Sequence, residues 1–141
     1  METLVVENQI GVAKGSEVEK EVMDNFRGET AEVGLYLAMA RQAEREGYPE
    51  VARALKDIAW DEANHAAKFA ELNGLISPST RENIERMLKG ERMANKGKQE
   101  ASIKAAKCSQ TSCQIFFGES AMDEGRHARA LEGMLNRYFS S

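Results

Sequence analysis

The chain has 141 residues, 42% hydrophobic and 30% charged, with a formal net charge of −4. That suits one domain with a core to build, and it excludes a disordered chain. No uncharged stretch is long enough to span a membrane, Met1–Lys20 lacks the basic-then-apolar layout of a signal peptide, and no basic run invites a nucleic acid. Two cysteines without a secretory signal point to the reducing cytoplasm.

Residues 1–16 carry no helical period and are expected to form an irregular arm. Ser16 is the expected N-cap of a first helix, with Glu17 and Glu19 in its first turn. Val18, Val22, Phe26, Val33, Leu37 and Ala40 then recur at helical spacing as far as Glu46, where Gly47-Tyr48-Pro49 stops the helix. A second helix is expected from about Glu50 to Leu72, ending at Asn73-Gly74. Ser77-Pro78-Ser79 supplies a turn and a cap for a third, from about Thr80 to Lys107, with Gly90 and Gly97 as weak points. After a polar turn over Cys108–Cys113, a fourth helix is expected over roughly Ser112 to Tyr138. No segment alternates with period two, so the expected fold class is all-α. Trp60, Met87, Met93, Met122 and Met134 are expected in the core.

Sliding the sequence by 62 residues reveals a repeat. Gly28-Glu29 falls on Gly90-Glu91, Asp61-Glu62 on Asp123-Glu124, and His65 on His127, the only other histidine; Ala43, Ala59 and Ala66 fall on Ala105, Ala121 and Ala128. The chain is two copies of one helical hairpin.

Each copy supplies a Glu on its first helix and, 33 residues later, a Glu-x-x-His on its second: Glu29 with Glu62 and His65, Glu91 with Glu124 and His127. The i, i+3 spacing sets carboxylate and imidazole one turn apart on one helical face. Four Glu and two His directed into a bundle core are the ligand set of carboxylate-bridged di-iron or di-manganese sites. Carboxylates bridge and neutralise two hard cations, and imidazole suits iron. A single Glu-x-x-His is common on solvated helices. Two in register, each with its own upstream Glu and flanked by Ala59, Ala63, Ala66, Ala121 and Ala128, describe an inward face instead, where four carboxylates without a cation would be prohibitively costly.

Phe26-Arg-Gly-Glu29-Thr-Ala-Glu-Val-Gly-Leu-Tyr36, Glu46-Gly-Tyr-Pro49 and Ile58-Ala-Trp-Asp-Glu62-Ala-Asn-His65 resemble the di-iron domain of rubrerythrin. The resemblance spans about Val22 to Leu135 and is strongest in the first half. It implies a ferritin-like four-helix bundle over residues 17–141, built from hairpins at about 17–74 and 79–138, that reduces hydrogen peroxide at a centre of two iron ions, with manganese as the alternative metal. By that resemblance Glu62 and Glu124 bridge the metals. Glu29 and His65 are terminal on one and Glu91 and His127 on the other, all four Glu being catalytic, and Tyr36 matches a tyrosine that hydrogen-bonds near the site.

The chain departs from the family pattern twice. Rubrerythrins usually carry two Cys-x-x-Cys pairs on a rubredoxin module, whereas Cys108 and Cys113 are all that this sequence holds, so an external electron donor such as a rubredoxin or a reductase is expected. The two thiols read as ordinary residues at helix ends, with a redox-active pair as the alternative. The family's additional Glu, three residues after the third-helix Glu, is Ala94 here, while the first repeat holds Glu32 at that place. Glu32 is therefore expected to serve the metal that Glu29 and His65 serve. Asp61 and Asp123, beside their Glu, are expected to steady the histidine of the opposite repeat, pairing Asp61 with His127 and Asp123 with His65.

In the bundle that the resemblance implies, helices two and three run parallel. A linker of about six residues reaches roughly 20 Å against a helix of about 35 Å. A domain-swapped homodimer with two di-metal sites is the expected escape. Iron(II) oxidation and iron handling, or a non-enzymatic redox-sensing bundle, are the alternatives to the peroxidase.

Overall fold

The computed structural model describes residues 9–140, so the first eight residues of the expected arm lie outside it. Four helices follow in order: α1 Glu19–Arg45, α2 Pro49–Leu72, α3 Thr80–Lys107 and α4 Thr111–Tyr138, with no strand among the described residues. None of these helices is long and apolar enough to cross a membrane. The chain divides after Pro78 into two compact units, each a helical hairpin.

In the first unit, helix α1 starts later than its serine predicts. Val18 takes the N-cap position. The Ser16 hydroxyl instead donates to the Ala13 carbonyl at 2.6 Å and accepts from the Val18 N–H at 3.4 Å, closing a turn ahead of the helix. Residues before it dock on the end of α2: the Gly11 and Ala13 N–H groups donate to the carbonyls of Glu71 and Leu72 at 2.8 and 2.9 Å. The Leu72 carbonyl, which α2 leaves without an intrahelical partner, is thereby satisfied, and the Glu71 carbonyl gains a second donor beside Gly74. The approach is close, since a Cβ on Gly74 would lie 3.2 Å from the Gly11 Cα.

Three helices end in the same way. After α1, the Gly47 and Tyr48 N–H groups donate to the carbonyls of Glu44 and Ala43; after α2, Gly74 and Leu75 donate to Glu71 and Ala70; after α3, Ser109 and Gln110 donate to Ala106 and Ala105. This pair of bonds demands a left-handed residue first past the cap. Gly47 and Gly74 meet the demand at φ 84° and 64°, but in the second unit Ser109 must adopt φ 59°. Ser109 falls on Gly47 in the 62-residue repeat, so the second hairpin makes the same turn with a residue that resists it. The turn itself covers Cys108 to Gln110, and Cys113 lies inside α4 rather than in the expected loop. At the start of α3, Ser79 caps as expected by accepting from the Glu82 N–H at 3.3 Å. Helix α3 then runs unbroken through Gly90 and Gly97.

Packing within each unit rests on alanine. Ala40, Ala43 and Ala52 form the first hairpin's buried cluster, with Leu55 against it, and Ala59 and Ala66 continue that contact along α2. In the second unit Leu88, Ala105, Ala121 and Ala128 are buried. Small side chains at the contact let two helix axes approach closely. Apart from Val22 and Leu88, larger side chains do not share this burial, which corrects the expectation of a core built on Trp60 and the methionines. Trp60 is 70% exposed and Met93 75%, with Met87, Met122 and Met134 exposed as well. Of the first helix's apolar series, Val22 and Ala40 are buried whereas Val18 and Leu37 are exposed. A two-helix unit has one interhelical seam, and the alanines fill it.

Ser109→Gly is expected to stabilise the protein by about 1 kcal/mol, because glycine adopts the left-handed turn without steric cost. Ala52→Leu, at a position 1% exposed, is expected to destabilise it by about 1–3 kcal/mol through overpacking. Urea denaturation midpoints at unchanged slope measure both.

Candidate metal centre

Each unit brings together the three residues that its repeat predicts. In the first, α1 supplies Glu29 and α2 supplies Glu62 and His65; in the second, α3 supplies Glu91 and α4 supplies Glu124 and His127. Within each group one oxygen or nitrogen of every residue lies within 4.8 Å of the others. The buried alanines flank these positions: Ala59 and Ala66 lie three before Glu62 and one after His65, and Ala121 and Ala128 lie likewise in α4. The helices are therefore in close contact at the level where the carboxylates meet.

In both units the imidazole sits beside two carboxylates. His65 Nδ1 lies 3.4 Å from Glu62 Oε2 and 3.7 Å from Glu29 Oε2. His127 Nδ1 lies 3.1 Å from Glu124 Oε2 and 3.4 Å from Glu91 Oε2. All four carboxylate side chains are at most 20% exposed, while both imidazoles are more than half exposed. Glu29 Oε2 is buried and has no hydrogen-bond partner. A buried, unpaired carboxylate oxygen is costly, and a cation is the partner that removes the cost. Beside it opens a cavity of about 350 Å³ lined by Glu29, His65, Lys68 and Phe69. The donor set of carboxylate oxygen and imidazole nitrogen suits iron or manganese, so these residues fit a di-metal centre on their own chemistry.

The remaining predicted residues stand around these groups rather than in them. Glu32 is exposed on α1, one turn from Glu29, and is not among the atoms that converge; Tyr36 is half-buried one turn further. Asp61 is exposed, and Asp123 is half-buried and accepts from the Arg126 guanidinium on its own helix. The sequence reading missed Lys98, whose ammonium forms an ion pair with Glu124 across α3 and α4. Its signal was present: Lys98 lies two helical turns after Glu91 and falls on Tyr36 in the repeat.

The family model for rubrerythrin matches residues 20–135. An uncharacterized protein of Methanocaldococcus jannaschii is 61% identical over 136 residues, which cover 96% of each chain. The reverse rubrerythrin-1 of Clostridium acetobutylicum is 50% identical over 138 residues, covering 94% of this chain and 75% of that protein.

His65→Ala and His127→Ala each delete one nitrogen from a converging group. Each is expected to weaken iron(II) binding by more than the roughly 10–100-fold that follows when only the support of a ligand is lost. Anaerobic equilibrium dialysis with metal analysis of the dialysed protein measures this.

Proposed function

The chain belongs to the rubrerythrin family, with an all-α, ferritin-like fold class, and we propose that it is a non-haem di-iron oxidoreductase that reduces hydrogen peroxide with electrons from a separate donor. The observation that carries this reading is the convergence, twice over, of two carboxylates and an imidazole on facing helices. Two iron(II) ions held by these residues would supply one electron each, the two that hydrogen peroxide takes up, with two protons, in becoming two waters. Glu29, Glu62 and His65 would hold one ion and Glu91, Glu124 and His127 the other, with Glu62 and Glu124 as the carboxylates that the two ions would share. Carboxylates change readily between one-oxygen and two-oxygen contact, which lets these side chains absorb a change in ionic charge. Tyr36 Oη holds a proton beside the first position. Asp61 and Asp123 would each accept from the ring N–H of the histidine in the opposite repeat, Asp123 turning from Arg126 to do so, and keep the other ring nitrogen free for metal. A donor such as a rubredoxin or a reductase would supply the electrons.

We further propose that the working unit is a domain-swapped homodimer, in which the first hairpin of one copy joins the second hairpin of the other. Covalent reach supports it. Seven residues separate Leu72 from Thr80 and span at most roughly 28 Å, whereas α2, with 24 residues, is about 36 Å long. The exposed side chains support it too, since Trp60, Met93, Phe116 and Met122 offer more apolar surface than a soluble hairpin leaves open.

Protein loaded anaerobically with iron(II) is expected to reduce hydrogen peroxide repeatedly when a reduced rubredoxin is supplied, and Glu62→Ala to abolish that turnover. Oxidation of added iron(II) without donor-dependent turnover would assign the protein to iron handling instead. For the assembly, one chain carrying Glu62→Ala and His65→Ala and another carrying Glu124→Ala and His127→Ala are unfolded together and refolded. A swapped dimer regains one intact site in each mixed pair. Sites made within single chains would leave the mixture inactive.

A further inference from the structure

The two repeats agree in their metal-binding residues and differ in what stands beside them. The 62-residue shift that superposes every Glu and His sets Glu32 on Ala94 and Tyr36 on Lys98. One repeat thus carries an extra carboxylate and a phenol, whereas the other carries an ammonium. The difference reaches the carboxylates themselves. In the second unit Lys98 Nζ is paired with Glu124 Oε1, and these side chains are 33% and 15% exposed. The other oxygen of Glu124 lies beside His127 Nδ1, as does Glu91 Oε2. One turn before Lys98, the Asn95 amide donates to the Ala121 carbonyl at 2.6 Å and fastens α3 to α4. Lys98 therefore works from a backbone that is held close to Glu124.

Among the described residues of the first unit, no Lys or Arg is paired with Glu29 or with Glu62, the counterpart of Glu124. Glu29 Oε2 is buried without a hydrogen bond, and its near neighbour is His65 Nδ1 at 3.7 Å. Lys68 lines the same cavity, but its ammonium pairs with Glu71 at 3.3 Å. Without metal, then, one half-site is short of positive charge and the other brings its own.

We propose that Lys98 is a built-in counter-cation that holds Glu124 in the metal-free protein and ranks the two metal positions. This rests on the di-metal reading above. The ion that Glu29, Glu62 and His65 serve binds first, because it meets a carboxylate oxygen that has no other partner. The first ion can load on Glu29, Glu62 and His65 before Glu124 is shared, whereas the ion that Glu91, Glu124 and His127 serve binds second and more weakly, because Lys98 must release Glu124 before the carboxylate of its own group is free. A partly buried charge pair is costly to separate unless each member finds a new partner. Glu124 finds the metal, while the Lys98 ammonium must turn to water. Lys98 is in this sense a positioning residue, acting on metal loading through Glu124.

Calorimetric titration of metal-free protein with manganese(II), which needs no exclusion of air, reads the ranking directly. Wild type is expected to bind in two separated steps. K98M and K98Q both remove the charge, so a folding failure of one, seen by circular dichroism, leaves the other to decide. Either is expected to tighten the weaker step at least tenfold, to leave the stronger within about threefold, and to enlarge the rise in melting temperature that metal produces. K98R, which keeps a cation, is expected to retain the wild-type separation. A charge-removing variant with the wild-type isotherm, or with a weakened second step, overturns the role of Lys98 while the metal centre stands. A wild-type protein that takes up no metal overturns both, and the two failures are told apart by that single titration.

Discussion

Four carboxylates on the contact faces of alanine-lined helices are an electrostatic problem before they are a site. Glu29, Glu62, Glu91 and Glu124 are each held at 20% exposure or less, with an imidazole as the one side chain close to both carboxylates of its group. Histidine can relieve one neighbour, but it cannot serve two anions and a buried unpaired oxygen at once. Lys98 answers Glu124 from within the chain, and divalent metal is the partner that matches the oxygen and imidazole donors of both groups. The close helix contact follows from the same need, since only alanine-sized neighbours let side chains from two helices converge on one ion.

Duplication explains how such a site is built from so little sequence. One helical hairpin carries one Glu and one Glu-x-x-His, and two copies carry the whole ligand set. The copies have since diverged where the duplicated backbone tolerated it. Ser109 keeps a turn that Gly47 makes without strain, so the hydrogen bonds at the end of α3 outweigh the steric cost of its left-handed conformation. Lys98 against Tyr36, and Ala94 against Glu32, are divergences of a different kind. They change the charge around each position and leave the ligands untouched.

The hairpin is also an incomplete unit in its apolar surface. Its seam buries alanines, and the larger residues of the same helices remain open in both units, Trp60 in the first and Phe116 in the second among them. Alanine contributes little buried area, so the large side chains hold most of the hydrophobic free energy available to this chain. Helix pairing within each hairpin thus draws on alanine, whereas most of the larger apolar residues lie outside that seam.

Much of this was determined by sequence alone. Helical periodicity, Gly47 and Gly74 after their helices, Ser79 before α3 and the two-fold recurrence of Glu-x-x-His specify four helices and the two groups of Glu, Glu and His that converge, because these are local signals whose range is a few turns. Three things needed tertiary structure. Ser16 lost the N-cap because its hydroxyl found the Ala13 carbonyl first, a competition between two local bonds that composition does not decide. Trp60 and the methionines lie outside the hairpin seam because burial depends on which face meets the neighbour, and periodicity names an apolar face without saying what covers it. Lys98 emerged last: an ammonium on a helix is ordinary in sequence, and it becomes part of the site only when packing of α3 on α4 brings Glu124 within its reach. Local bonding is written along the chain, whereas an ion pair between residues 26 apart exists only where the fold has set two helices side by side.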